Sequence, residues 1–208
     1  MKPWLTAMAP LLLGACVSVN LGGDVPAQAQ YLLHDAGAPA TRRAEPIVAA
    51  LLIQPLPADA TADSAAMAYS RRAHEFATYQ LATWTERPVR QVPRLLQQRL
   101  EARGVAGAVG IVGDPLRADW LLTIAIDTLH HDVSAAPGQG RFAISAELFD
   151  RRSRTRLARR QFTAAVPAAS ADAPGAAAAM SAALTQAIDG LVPWLEAELQ
   201  KAAAKAPS

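Results

Sequence analysis

The strongest constraint on how this chain folds is a pair of segments, "ADWLLTIAIDTL" and "RFAISAELFD", in which every second residue is apolar. This alternation is typical of β-strands with one buried face. The residues expected on the two buried faces are Trp120, Leu122, Ile124 and Ile126 in the first segment and Phe142, Ile144, Ala146 and Leu148 in the second. The loop "HHDVSAAPGQG" separates them, and "RRSRT" turns the chain into a third candidate strand, "RLARRQFTAAV". Such short connections predict antiparallel pairing.

Two other segments have the apolar spacing of amphipathic helices. The first is expected from about residue 90 to the stop signal at Gly104, with Arg99 at the margin of its apolar stripe of Val92, Leu95, Leu96 and Leu100. The second is expected from about residue 174 to 204, with a stripe of Met180, Leu184, Ile188, Leu191, Leu195 and Leu199. Pro93 is expected in the first helical turn, and Pro193 is expected to bend the second helix.

Five shorter strand candidates precede or follow the first helix. "QYLLHD" and the apolar run "IVAALLIQPLP" come first, "AMAYSR" and "EFATYQLATW" flank a polar turn as a hairpin, and "AVGIVG" follows the helix. Strands in runs, with two amphipathic helices, predict an α+β fold: an antiparallel or mixed sheet with both helices packed on one face.

The only cysteine, Cys16, follows a charged start and a short apolar stretch, "PWLTAMAPLLLGA". That stretch is too short to cross a bilayer core, which takes roughly 20 residues, and it is typical of a secretory signal. Leu-Gly-Ala-Cys resembles the bacterial lipobox, so residues 1–15 are expected to be a lipoprotein signal peptide and Cys16 the lipidated residue. The alternative is a signal cut elsewhere, with Cys16 an unpaired thiol.

The region after Cys16 divides into two parts. Residues 16–29 are expected to be the lipidated cysteine and a flexible tether, and residues 30–208 a single domain. Val17, rather than Asp, follows the cysteine, which favours export to the outer membrane. The mature chain loses Lys2 and so has 20 − 1 = 19 basic against 18 acidic residues, a net charge of +1 that argues against nucleic-acid binding.

No catalytic motif is apparent in the sequence. A Gly-x-Ser-x-Gly elbow and a Walker pattern are both missing, so we expect no enzymatic activity, no catalytic residues and no cofactor. His130, His131 and Asp132 are the one cluster of candidate metal ligands. Because neighbouring strand residues point to opposite faces, we expect a solvated turn rather than a metal site.

Two groups of residues are candidate contacts for a partner or for lipid. Arg151, Arg152, Arg154 and Arg156 belong to an arginine-rich segment; the alternative is a solvated hairpin tip that protects an edge strand. Tyr79 and Trp84 lie at a junction between a strand and a helix. They are either core aromatics or surface anchors for a partner.

The order of several short motifs resembles the ABC-type transport auxiliary lipoproteins, the PqiC-like family. The motifs are the lipobox and tether, "YLL", Tyr69 with Arg71, Trp84 opening a Leu-rich helix, Ala118-Asp119-Trp120, and Leu148-Phe149-Asp150. The resemblance covers nearly the whole mature chain. Pro93 and the bend expected at Pro193 depart from the family pattern.

This resemblance implies a periplasmic accessory subunit, anchored in the outer membrane by fatty acyl chains, of an MCE-type lipid transport system. The implied partners are an MCE-family periplasmic protein, the inner-membrane ABC permease and ATPase, and the phospholipid membrane that holds the anchor. The oligomeric state stays open and includes a homo-oligomer. Two alternatives also remain: an envelope-assembly lipoprotein, such as a pilotin or a lipopolysaccharide-assembly factor, and a periplasmic hydrolase.

Overall fold

The computed structural model describes residues 27–37, 41–57 and 61–205. The expected signal peptide, Cys16 and most of the tether therefore lie outside the described residues. The elements in chain order are β1 (Ala29–Tyr31), β2 (Val48–Pro55), β3 (Ala66–Arg72), β4 (Glu75–Trp84), α1 (Pro88–Arg103), β5 (Ala106–Ile111), β6 (Trp120–Asp132), β7 (Gln139–Asp150), β8 (Thr155–Pro167) and α2 (Ala173–Ala203). The α+β class is confirmed, with strands and helices in the order that the sequence predicts.

All eight of these strands form one mixed sheet organised around β6. One edge of β6 pairs antiparallel with β7, which pairs antiparallel with β8. The other edge is shared, because the first part of β6 pairs parallel with β2 and its last two residues pair parallel with β3. Strand β5 extends the sheet beyond β2, and β4 and β1 extend it beyond β3.

A β-bulge in β6 changes which residues face the core. Pairing with β7 shifts between Ile126 and Thr128, so the alternation that buries Leu122 to Ile126 resumes one residue later. Leu129 and His131 are buried as a result. The prediction that the turn begins at His130 was therefore wrong: His131 and Asp132 belong to β6, where they pair with both β3 and β7.

Both helices contribute to one hydrophobic core on the same side of the sheet. The predicted stripe of α2 is confirmed, since all six of its residues are fully buried: Met180, Leu184, Ile188, Leu191, Leu195 and Leu199. They lie in the same buried cluster as the inward residues of β6 and β7, which are Leu122, Ile124, Ile126, Phe142, Ile144, Ala146 and Leu148.

The helix ends follow from local sequence. Helix α1 begins at Pro88, about two residues earlier than expected, so Pro93 lies beyond the first turn. The helix ends at Gly104, whose φ of 70° is the left-handed conformation that glycine adopts without strain. Helix α2 begins after Asp172, whose carboxylate accepts a hydrogen bond from the Gly175 amide at 3.0 Å.

Ion pairs join α1 to α2 and to the segment that follows β1. Arg99 forms two hydrogen bonds to Asp35, of 2.9 and 2.5 Å, and a third of 2.6 Å to Asp189 of α2. One turn later, Arg103 forms a bidentate pair with Glu196 of α2. The two helices are thus held side by side by charge as well as by apolar packing.

Candidate functional site

The arginine turn, residues 151–154, connects β7 to β8 at the end of the sheet where β6 begins. It is fastened to the segment before β6 by two contacts of Arg151. The Arg151 amide donates to the Asp119 carbonyl at 2.8 Å, and its guanidinium donates to the Ala118 carbonyl at 2.8 Å. Asp150 accepts hydrogen bonds from the Ser153 hydroxyl and the Arg152 amide, which lower the pKa of its carboxyl. These hydrogen bonds therefore hold the arginine turn in a defined conformation.

The four arginines predicted as contacts are all exposed, but they differ in what they bind. Arg152 forms an ion pair of 2.8 Å with Asp119. Arg156 lies 3.3 Å from Glu147, a carboxylate that Arg159 also approaches to 3.3 Å. Arg154 has a φ of 56° and forms no ion pair within residues 27–37, 41–57 and 61–205. The structure thus presents several guanidinium groups to solvent at one end of the sheet.

Two of the clefts that adjoin the arginine turn share part of their lining. The arginine cleft, of about 590 Å³, is lined by Arg117, Arg151, Arg152 and the residues around Trp120. The apolar cleft, of about 530 Å³, is lined by seven apolar residues, among them Val48, Leu157 and Ala203, and by five polar or charged ones, which are Asp119, Asp150, Arg152, Ser153 and Lys205. Four residues, Ala49, Asp119, Trp120 and Arg152, line both, so the two clefts are neighbours at the start of β6.

A second cluster occupies the opposite end of β6. The Tyr79 hydroxyl lies 2.8 Å from Nδ1 of His131, and the Tyr69 ring lies 5.1 Å from the Tyr79 ring. The Arg71 guanidinium lies 4.9 Å above the Tyr69 ring. These residues, except His131, line a cleft of about 570 Å³ with Leu81 and Pro137. Tyr79, predicted as a contact, is therefore half-buried and hydrogen-bonded at the edge of this cleft.

Trp84, the other aromatic predicted as a contact, lies at the end of β4. Only 3% of its surface is exposed, and it belongs to the hydrophobic core. Its backbone pairs with Tyr31 of β1. The core alternative that the sequence left open accounts for this position.

The histidine pair is divided between two environments. His131 is fully buried, and its Nε2 has no hydrogen-bond partner among the described residues. Burial lowers the pKa of His131, which favours the neutral imidazole. His130 instead packs its ring edge-on to Phe76, at 5.1 Å between ring centroids. Within the described ranges, no group of three or more His, Cys, Asp or Glu side chains could hold a metal ion.

His131 is the residue of this cluster that sequence reasoning missed. An apolar residue would be the ordinary occupant of a fully buried strand position, and the polar sequence around His131 predicted solvent instead. The sequence around Tyr79 does not indicate that His131 is its hydrogen-bond partner, because the two residues lie 52 positions apart in the chain.

Of the helices that the structure describes, none has the length and apolar character needed to cross a membrane. Curated proteins give no match to this chain. Among solved structures, a protein of Xanthomonas campestris from the family DUF330 superposes with a TM-score of 0.76 at 23% identity, covering 85% of this chain and 100% of its own. A second, uncharacterised protein superposes with a TM-score of 0.63 at 11% identity, covering 81% of this chain and 99% of its own. At these identities the similarity establishes the fold.

The amino-acid sequence also matches a known protein family. Residues 31–192 match the family described as the ABC-type transport auxiliary lipoprotein component. The matched range begins at the last residue of β1 and ends within α2, so it includes strands β2 to β8 in full. It also includes the lining of both clefts beside the arginine turn except for Ala202, Ala203 and Lys205. This chain belongs to the ABC-type transport auxiliary lipoprotein family.

Proposed function

We propose that this protein is the outer-membrane-anchored periplasmic subunit of an MCE-type ABC lipid transport system. In this role it docks the periplasmic MCE component that extends from the inner-membrane permease and ATPase, and it aids lipid transfer between the membranes. The family match over residues 31–192 is the observation that carries the proposal. The chain acts by binding, and the proposal assigns it no catalytic step.

The direction of the strands supports a molecule with an anchored end and a free end. Strand β4 is antiparallel to β3, and β3 is parallel to β6, so β4 runs opposite to β6. Strand β1 is parallel to β4 and therefore also runs opposite to β6. The chain before Ala29 therefore enters at the end of the sheet where β6 finishes. The arginine turn lies at the other end of β6, whose 13 residues span about 40 Å.

The proposed anchor is Cys16, with a diacylglycerol on its sulfur and an acyl chain on its amine. Two or more acyl chains hold a protein stably to a membrane, whereas one does so only marginally. Twelve residues separate Cys16 from Ala29, and the chain between these two residues reaches at most about 45 Å. The tether would thus keep the domain close to its membrane, and it joins the domain at the end of the sheet opposite the arginine turn.

The arginine turn is the surface proposed to meet the transport partner. Its guanidinium groups are exposed, and Arg154 has no ion-pair partner within the described part of the chain. Clustered like charges steer association with an oppositely charged surface. We therefore expect an acidic docking surface on the periplasmic component.

A pull-down of the full-length lipoprotein from membranes, with identification of the bound proteins by mass spectrometry, tests the proposal. We expect an MCE-domain protein together with an ABC permease or ATPase. Recovery of secretion, pilus or lipopolysaccharide-assembly proteins in their place would favour the envelope-assembly alternative. Separation of the two membranes by density tests the anchor site, and recovery in the inner-membrane fraction would contradict an outer-membrane location.

A further inference from the structure

The two clefts beside the arginine turn together present charge and apolar surface to one ligand. Arg117, Arg151 and Arg152 line the arginine cleft together with Trp120. In the apolar cleft, Trp120 is joined by Leu157, which is 42% exposed, and by side chains such as Ile47 and Ala203. A solvent-exposed apolar wall next to clustered guanidinium groups suits a ligand with an anionic head and a hydrocarbon chain.

The charges favour an anion. Four cationic side chains line the two clefts, Arg117, Arg151, Arg152 and Lys205, against two carboxylates, Asp119 and Asp150. Asp119 is engaged by Arg152, while Arg117 has no ion pair among the described residues. Arg151 uses one side-chain N–H for the Ala118 carbonyl, and a guanidinium carries five N–H donors. Donors for a phosphate thus remain after the internal bonds are made.

The dimensions suit a lipid. Each cleft exceeds 500 Å³, with about 590 Å³ on the arginine side and about 530 Å³ on the apolar side. Binding sites for small molecules range from about 300 to 1,000 Å³ and combine an apolar lining with a few polar groups. Trp120 lines both clefts, so it is available to the part of an amphiphile where the head joins the chain.

We propose that these clefts form a phospholipid-binding site. The phosphate binds Arg117, Arg151 and Arg152, and one acyl chain lies along Trp120 and Leu157. This inference builds on the proposed role in lipid transport, because it assigns the cargo to the end of the domain that faces the incoming component. The arginine turn then both meets the partner and holds the lipid's head.

The test is light-induced crosslinking in cells that grow on radioactive phosphate. The full-length lipoprotein carries Leu157→benzoylphenylalanine inside the apolar cleft, and a matched protein carries Gln186→benzoylphenylalanine on the exposed side of α2. The acyl anchor expected at Cys16 contains no phosphorus, so radioactivity in the protein band after irradiation reports a crosslinked phospholipid. A sample without irradiation corrects for phosphorylation. Free phosphate has no C–H bond for the probe and leaves no label.

We expect a light-dependent label at position 157 and none above background at position 186. Combining Leu157→benzoylphenylalanine with Arg117→Gln, Arg151→Gln and Arg152→Gln should weaken lipid binding by roughly tenfold or more, because charge-assisted hydrogen bonds to the phosphate are lost. The matched control, Arg42→Gln, Arg90→Gln and Arg94→Gln, removes the same charge away from both clefts and from the arginine turn and should keep the label.

Three results would overturn the site. These are equal labelling at positions 157 and 186, a label that survives loss of the three cleft arginines, and a crosslinked polypeptide without radioactivity. If the label is missing while the transport components still co-purify, the cleft assignment alone is wrong. If the label appears but no transport component co-purifies, the proposed function is wrong and the lipid site stands.

Discussion

The Tyr79 hydroxyl and Nδ1 of His131 lie 2.8 Å apart, linking β4 to β6 across the intervening strand β3. His131 is fully buried, and burial lowers the pKa of its imidazole, while the nearby charges of Asp132 and Asp172 act in the opposite direction. The Tyr79 hydroxyl is the hydrogen-bond partner of Nδ1, and the backbone of Pro137 also acts to raise the pKa of the ring. Because the imidazole of His131 is buried, its protonation should make the stability of this end of the sheet depend on pH.

We predict that the protein loses stability as the pH falls below the ordinary histidine pKa of about 6.5. The folded-state pKa of His131 is lowered, so below that pH the unfolded chain binds more protons and unfolding is favoured. Urea unfolding of the full chain between neutral and mildly acidic pH measures this slope. His131→Gln should flatten it, whereas the exposed control His74→Asn should keep it. An equal slope in all three proteins would exclude His131 as the cause.

The sequence could predict β6 and β7 because their alternation is a local property. The bulge after Ile126 is not local, since it depends on how β7 pairs with β6, and it alone places His131 in the core. Arg99 was visible only as a charge at the margin of a helix. Its partners Asp35 and Asp189 lie 64 and 90 residues away in the chain. Only the packing of α1 against α2 and against the segment after β1 brings the three residues together.

The residues that line the clefts also come together through contacts that the sequence does not reveal. Sequence reasoning found the arginine turn as a dense run of charge, and the structure places those residues at one end of the sheet. Sequence reasoning could not find the neighbouring Arg117 or the exposed apolar side chain of Leu157, because β2, β8 and the end of α2 meet there only in the folded chain. Trp120 was assigned to the buried face of its strand, yet it also lines both clefts.

Replacing Trp84 with alanine should destabilise the fold severely. The side chain is 3% exposed within the core, and large-to-small changes of buried aromatics cost about 3–5 kcal/mol. Urea unfolding measures the loss. Phe76→Ala is the control, because Phe76 is 53% exposed, and surface changes stay within about 0.5 kcal/mol. An unchanged unfolding curve with lost partner binding would instead support a contact role for Trp84.

Neutralising the arginine segment should weaken docking without unfolding the protein. Arg151, Arg152, Arg154 and Arg156, changed together to Gln, remove exposed charges whose ion pairs stabilise the fold little. We expect a small shift in melting temperature and reduced recovery of the transport partner, most clearly at low salt. The control changes Arg42, Arg72, Arg90 and Arg94 to Gln and removes the same charge elsewhere. Equal loss in both proteins would mean that net charge, rather than this surface, governs binding.

Cys16→Ser should abolish lipidation and release the protein from the membrane. The substituted hydroxyl cannot form the thioether that the lipobox reaction makes. Incorporation of radioactive palmitate, measured together with fractionation, checks this expectation. Continued labelling of Cys16→Ser would show that the acyl group is attached at another residue.

The last prediction separates two carboxylates that bind the same guanidinium. Arg99 pairs with Asp35 through two hydrogen bonds and with Asp189 through one. The side chains of Arg99 and Asp35 are only 11% and 7% exposed, whereas that of Asp189 is 53% exposed. Arg99 therefore pairs with one carboxylate that is shielded from water, Asp35, and with another that is exposed to it, Asp189.

Asp35→Asn leaves a largely buried guanidinium without its main counter-charge and should cost about 3–5 kcal/mol of stability. Asp189→Asn removes an equal charge from the same arginine in solvent, where a pair contributes about 0–1 kcal/mol. Urea unfolding of both variants, and of each combined with Arg99→Met, gives the coupling energies. Arg99→Met should recover part of the loss caused by Asp35→Asn, because it removes the unpaired charge and packs against the apolar stripe of α1. Equal effects of Asp35→Asn and Asp189→Asn would mean that solvent screens both pairs alike and would contradict the prediction.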